Sequence, residues 1–399
     1  MPMKRFDGYR SFQYLRQDAD YRFYPLAERS DPEKACEETL TEPERRRYEA
    51  LMSGHPILSL RDHGFTMPKH SEDILAYCRQ GYTAFDYEGL ALSRLDGLFE
   101  NFMDGVMNVT SKAGLKWDDV LWNLGMRYCD MAHQDTVRIA SSVNDILTAK
   151  ANGQIAIIPS LEAATALENE IERVDILYGF GIRCMGITYN DANTLGSGLS
   201  ETHDGGLTRF GRRVVERMNR LRMVIDISHC GDRTSMEVIE ASEQPVLITH
   251  AGARALWNTP RMKPDEILLA CKERGGLIGI LAAPNTTMTR NHPHHCLESV
   301  MEHFEYVANL VGIDHVAFGP DTFFGDHTAL QRAVDNQLSI GASHSGEHFT
   351  EADYVRGAEN PVEAVPNMVR WLIRHGYSDS DIAKAAGGNV LRVLRQLWD

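Results

Sequence analysis

The chain has 399 residues, with 41 Lys+Arg against 56 Asp+Glu and a formal net charge of −15. So acidic a balance argues against a nucleic-acid binder, which needs a cationic surface to displace phosphate counterions, and against docking on anionic membranes. Apolar residues at 43% and charged residues at 24% are globular values, and the length suits two or three small domains or one large barrel with extensions.

Met1 to Arg10 reads MPMKRFDGYR and has no apolar leader stretch, and nowhere do 18 apolar residues run together. The seven cysteines (Cys36, Cys78, Cys129, Cys184, Cys230, Cys271 and Cys296) are scattered and form no C-x-x-C. Neither a disulfide framework nor a zinc knuckle is expected. These features predict a soluble chain in a reducing, cytoplasmic setting.

Residues 1–54 are heavily charged, as in Glu42-Pro43-Glu44-Arg45-Arg46-Arg47, and read as a mostly helical extension. Residues 55–399 carry the repeating pattern and the C-terminal helices. Short apolar runs predict strands at Ile57–Leu60, Tyr82–Phe85, Ile155–Pro159, Arg183–Thr188, Met223–Ser228, Pro245–Thr249, Gly276–Leu281 and His315–Gly319. Amphipathic stretches lie between them, at Thr165–Tyr178, Phe210–Leu221, Asp232–Ala241, Pro264–Glu273 and Leu297–Leu310. Strands alternating with helices imply a parallel sheet, and eight repeats favour an α/β fold of the closed (β/α)8 TIM-type barrel. A nucleotide site is not supported. Gly179-Phe180-Gly181 precedes a strand instead of opening a helix, and there is no phosphate-binding G-x-x-x-x-G-K-[ST].

In such a barrel the chemistry sits where the strands end. Those ends carry Asp62-His63, Glu162, Tyr189-Asn190, His229, His250 and Asp321. Two histidines, a glutamate and an aspartate converging on one mouth suit a divalent transition metal with N/O ligands, zinc first, with manganese, iron or cobalt also compatible. Taken singly, Glu162 could be a carboxylate favoured by a helix dipole and Asp321 a turn residue. Arg261 could be a surface arginine or a bidentate clamp for a carboxylate. The tract His292, His294, His295 reads as solvated loop. Asp226, out of phase with His229, is expected to face the helix layer.

Several segments together resemble the membrane (renal) dipeptidase family of zinc peptidases and its soluble bacterial branch. They are Gly206-Leu207-Thr208-Arg209-Phe210-Gly211, Glu216 to Leu221, Asp226-Ile227-Ser228-His229, Thr249-His250-Ala251-Gly252-Ala253-Arg254-Ala255, Pro260-Arg261 and Gly387 to Arg392. The resemblance implies a (β/α)8 barrel with two zinc ions, generally dimeric, that cleaves dipeptides and related small amides. Glu162 then resembles the carboxylate bridging the two metals, and His229 and His250 the histidines of the second. Arg261 resembles the arginine that holds the substrate carboxylate, with Asn190 beside it, and Asp321 the acid/base. Tyr189 stands where dipeptidases carry a histidine that stabilises the oxyanion, a hydrogen bond a hydroxyl can also donate.

The first strand departs from the pattern. The family's Asp-Gly-His-x-Asp motif supplies a histidine and an aspartate to the first metal, but here the chain reads Ser59-Leu60-Arg61-Asp62-His63-Gly64-Phe65-Thr66. Aligning Asp62 with the first Asp puts Gly64 and Thr66 at the ligand positions; taking His63 as the ligand puts Phe65 at the second. Either Asp62 or His63 is thus a candidate, and one carboxylate is missing in both registers. The sequence therefore predicts a metal-dependent hydrolase of small amides holding one or two zinc ions. The alternatives are a relative acting on a lactam, an N-acyl amino acid or a non-peptide metabolite, and a non-catalytic binding homologue.

Overall fold

Eight short, buried strands are hydrogen-bonded in parallel in the order β1 (Leu58–Ser59), β2 (Gly97–Met103), β4 (Ile155–Leu161), β5 (Cys184–Gly186), β6 (Val224–Asp226), β7 (Val246–Ala251), β8 (Leu277–Ile280) and β9 (Val316–Phe318). A ninth, β3 (Val137–Ile139), pairs with β4 off that path. The ring closes where the Leu60 N–H donates to the Phe318 carbonyl and the Asp321 N–H to the Arg61 carbonyl, both at 2.8 Å. This is the (β/α)8 barrel expected from the alternation. The computed structural model describes residues 4–28, 38–103, 116–338, 352 and 354–398.

The strands are apolar on both faces because helices cover them outside and their own side chains fill them inside. Leu58, Leu60, Ala156, Ile158, Cys184, Val224, Leu247, Leu277 and Ala317 form the inner layer. The C-terminal helix Asn389–Trp398 adds Val390, Leu391, Val393 and Leu394 to it, and Asn389 donates to the carbonyls of Ile313 and Val316 at the start of β9. The bottom of the barrel is thereby plugged. Each fully buried Leu, Ile or Val side chain of this layer contributes roughly 1.5–3 kcal/mol of burial.

Local signals set the helices. Thr208 caps Arg209–Leu221 by accepting from the Gly211 N–H at 2.9 Å. Val214, Val215 and Met218 face the core at helical spacing. Of the N-terminal extension, Glu42–Gly54 is helical behind a Thr41/Glu44 capping box, whereas residues 4–28 run as turns and isolated bridges. Asp130 ties that segment down, accepting from the Tyr9 hydroxyl at 2.8 Å and the Phe12 N–H at 2.7 Å. Residues 29–37 of the extension lie outside the described residues.

Two strand assignments change. Tyr82–Phe85 is loop, with Phe85 in an isolated bridge to Phe65 outside the sheet. The second barrel strand is instead Gly97–Met103, GLFENFM, whose apolar run is broken by Glu100 and Asn101. Both of those polar side chains are fully buried. The interruption that hid the strand belongs to the site.

Candidate metal centre and active site

Glu162 follows β4, His229 lies three residues past β6, and His250 is within β7. The top of the barrel brings all three together. Both histidine Nε2 atoms lie 3.2 Å from Glu162 Oε1 and 3.0 Å from each other. Among the described residues, this is the one group of three metal-donor side chains close enough to share an ion. A tetrahedral zinc with bonds of about 2.0–2.1 Å separates its ligand atoms by about 3.3 Å, so the spacing fits.

The far ring nitrogens fix which tautomers face the site. His229 Nδ1 is 2.8 Å from Asn190 Oδ1, which only accepts, so Nδ1 carries the proton and Nε2 a lone pair. His250 Nδ1 is 2.7 Å from Thr249 Oγ1, whose own proton goes to Asp226 Oδ2 at 2.6 Å. Arg61 Nε also approaches His250 Nδ1, at 3.4 Å, but the shorter Thr249 contact puts the proton on Nδ1 and leaves Nε2 a lone pair. Burial, reinforced by Arg261, pushes the His229 imidazolium down to about 3. Burial and then Arg61 lower His250. Burial alone would raise Glu162, but the Arg61 guanidinium outweighs it and holds the carboxyl well below the usual range. Two neutral nitrogens and a carboxylate oxygen facing one another are mutually repulsive without a cation among them. The donor set fits a metal.

Asn190 was expected to meet substrate. It is fully buried behind His229 and orients that ring. Tyr189 stacks on His229 with ring centroids 4.3 Å apart. Arg261 is 2% exposed; its Nη1 donates weakly to the Ser228 carbonyl at 3.5 Å and its Nη2 has no protein partner. Asp321 follows β9 with φ of 62°, a left-handed conformation that Asp tolerates better than most residues. Tyr189, His229, Arg261, Asp321 and His327 line a pocket of about 50 Å³ closed by Leu330 and Val334. A larger cavity of about 1030 Å³, lined by aromatics including Tyr9, Tyr24 and Tyr82, lies under the N-terminal segment and contains none of these groups.

The first strand's candidates lie elsewhere. Asp62 accepts from the Thr322 N–H at 3.0 Å and hydroxyl at 2.7 Å, and burial pushes its carboxyl up to about 7 against those bonds. His63 sits between Glu100 Oε1 at 3.4 Å and Asp321 Oδ1 at 3.2 Å. Burial would lower it, but its bonds to Asp321 and Glu100 hold it up at about 10, and it is an imidazolium. Neither joins Glu162, His229 and His250.

Three residues not singled out in the sequence take part. Arg61, 1% exposed, places Nη2 3.1 Å from Asp226 Oδ2 and 3.6 Å from Glu162 Oε1. Asn101 Nδ2 donates to Glu162 Oε2, and Glu100 accepts from the Gly64 N–H at 2.6 Å. The signal for Glu100 and Asn101 was two adjacent polar residues inside an apolar run. Asp226, expected to face the helices, shares the inward parity of Val224 and bonds Arg61, Ser228 and Thr249 inside the barrel. His294 is exposed as expected for a loop, but His295 is buried, 2.8 Å from Thr287 Oγ1. Glycine makes room at the centre: a Cβ on Gly186 would lie 1.9 Å from the Glu162 carbonyl.

A family model described as membrane dipeptidase (peptidase family M19) matches residues 123–332 and 339–398. The chain belongs to the membrane dipeptidase family. The match takes in Glu162, Tyr189, Asn190, His229, His250, Arg261 and Asp321, and starts after Arg61, His63, Glu100 and Asn101. A Klebsiella pneumoniae relative, the "uncharacterized protein in pqqA 5'region", is 27% identical over 294 residues, 70% of this chain and 97% of that one. Dipeptidase tcpJ of Claviceps purpurea is 27% identical over 302 residues, 75% of this chain and 63% of that one, so the chain spans under two thirds of its length. Among solved structures, an amidohydrolase from Pseudomonas aeruginosa superposes with a TM-score of 0.71 at 25% identity, over 88% of this chain and 99% of that one. No helix among the described residues is long and apolar enough to cross a membrane.

Proposed function

We propose that this member of the membrane dipeptidase family is a metal-dependent hydrolase that cleaves a dipeptide or another small amide bearing a free carboxylate, with zinc held by Glu162, His229 and His250. The observation that carries the reading is the Nε2–Nε2–Oε1 triangle of 3.0–3.2 Å beside Asp321 and Arg261 at one barrel mouth. When bound, a divalent ion supplies a water of lowered pKa and polarises the scissile carbonyl.

The chain's own residues do the rest. Arg261, buried and with Nη2 uncommitted, grips the substrate carboxylate and so fixes the amide relative to Asp321. Asp321 takes the proton of the attacking water and delivers it to the amide nitrogen as the C–N bond breaks. The charged His63 holds that carboxylate in position at 3.2 Å. The Tyr189 hydroxyl donates to the oxyanion that forms on the carbonyl.

Two supports extend the reading to setting and assembly. None of the described cysteines is disulfide-bonded, as suits the cytoplasm, and the family resemblance implies a homodimer. Light scattering on the purified chain tests the dimer. The decisive experiment for function is metal per chain by elemental mass spectrometry on untagged protein, paired with hydrolysis of a dipeptide panel. Bound zinc and turnover that both vanish on chelation and return on reloading are expected. Zinc-free protein that refuses reloading defeats the reading.

A further inference from the structure

Glu162, His229 and His250 account for one of the two ions that the family resemblance implies. For the other, the residues do not fit. We propose that the Arg61 guanidinium occupies the place of the first metal, so that each chain holds one ion beside a permanent organic cation. The inference rests on the reading of Glu162, His229 and His250 as a metal site.

Three observations carry it. The first is register. β1 ends at Ser59, whose hydroxyl bonds the Arg61 N–H at 3.3 Å and the Arg61 carbonyl at 3.0 Å, turning the chain so that the Arg61 side chain enters the barrel. Asp62 turns to Thr322, and His63 comes next at the mouth. Arg61 and His63 therefore carry the spacing of the His-x-Asp pair that the family uses on its first strand, which neither register weighed from the sequence allowed. A guanidinium stands at the histidine position and an imidazolium at the aspartate position.

The second is saturation of Glu162. Its Oε1 faces His229, His250 and Arg61, and its Oε2 accepts from Asn101. Both oxygens of that carboxylate are therefore already engaged by groups of the chain. The third is charge. Arg61 lies within 3.6 Å of Glu162 and 3.1 Å of Asp226, with Nε 3.4 Å from His250 Nδ1. Glu162 and Asp226 are both at most 5% exposed and need a compensating cation in place. A guanidinium cannot be deprotonated to make way, so a second divalent ion would meet it at contact distance. His63, next at the mouth, is already paired with Glu100 and Asp321.

Stoichiometry tests the assignment independently of turnover. Untagged protein is stripped with chelator, titrated with zinc or cobalt(II), and read by elemental mass spectrometry and by electron paramagnetic resonance of the cobalt form. One equivalent per chain with a magnetically isolated cobalt signal is expected. The variant R61H/H63D, which restores the spacing and chemistry of the first-strand pair, is expected to take two equivalents and show a coupled cobalt pair. Two equivalents in the unaltered chain overturn the role of Arg61 and leave the triad reading intact. None in the unaltered chain overturns the triad itself. A folded double variant that still takes one equivalent overturns the placement of Arg61. The wild-type titration decides even if that variant does not fold.

Discussion

The two halves of the barrel mouth are built on opposite principles. On the β4–β7 side, Glu162, His229 and His250 aim an ionised oxygen and two lone pairs at a common point. On the β1, β2 and β9 side, the charges are already paired: Arg61 with Asp226 and Glu162, and His63 with Glu100 and Asp321. One half requires a cation from outside, and the other supplies two of its own. The family match covers the first half and starts beyond the β1 and β2 residues of the second. The family match thus takes in the side with the donor triangle, while the other side is an ion-pair network. The network's partner across the divide is Glu162.

The sharpest way to break this comparison is to remove a donor from the needy half. His229→Ala or His250→Ala is expected to abolish bound metal and all detectable hydrolysis, since two remaining ligands do not make a catalytic site. Circular dichroism of the variants should still report a folded barrel. Metal content equal to the wild type in both would dissolve the distinction between the halves. Next in size is Asp321→Asn, which removes the proton carrier and leaves Glu162, His229 and His250 untouched. Its kcat should fall about 10²- to 10⁴-fold with metal content unchanged. A loss of metal instead would assign Asp321 to the ligand set.

Much of the β4–β7 half was legible in the sequence because each donor ends a short apolar run. His229 after Val224–Asp226 and His250 within Val246–Ala251 stand out as polar punctuation on buried strands. Local pattern was weaker on the other half. Glu100 and Asn101 lie inside their strand, so burying them broke the apolar run that would have announced it. Arg61 reads as an ordinary surface cation beside Asp62 and His63. Its burial depends on Asp226 and Glu162, which lie 165 and 101 positions away and are brought near only by barrel closure. Asp226 was misplaced for the same reason: its inward partners come from β1 and β7. Charge networks are tertiary facts, and periodicity does not encode them.

A smaller effect is expected at the clamp. Arg261→Lys keeps the charge but loses the planar fork, so kcat/KM for a dipeptide should drop about 10- to 100-fold, mainly through KM. The same variant should leave hydrolysis of a substrate amidated at its carboxylate unchanged. An equal loss on both substrates would place Arg261 in the support of the metal site and not on the substrate.

The two asparagines behind the site probe the divide most finely. Asn190 fixes the His229 tautomer at 2.8 Å, and Asn101 occupies the outer oxygen of Glu162. Asn190→Ala should weaken zinc about 10-fold, the lower end of what loss of a hydrogen bond behind a ligand costs, as read by competition with a chromophoric chelator. Asn101→Ala frees Glu162 Oε2, the oxygen a bridging carboxylate would offer to a second ion. If the absence of a second ion were only a matter of that oxygen being taken, the variant would gain an equivalent. With Arg61 still 3.6 Å from Oε1 and still charged, stoichiometry is expected to stay at one. A second equivalent in Asn101→Ala would show that a hydrogen bond, and not a built-in cation, keeps the two halves apart.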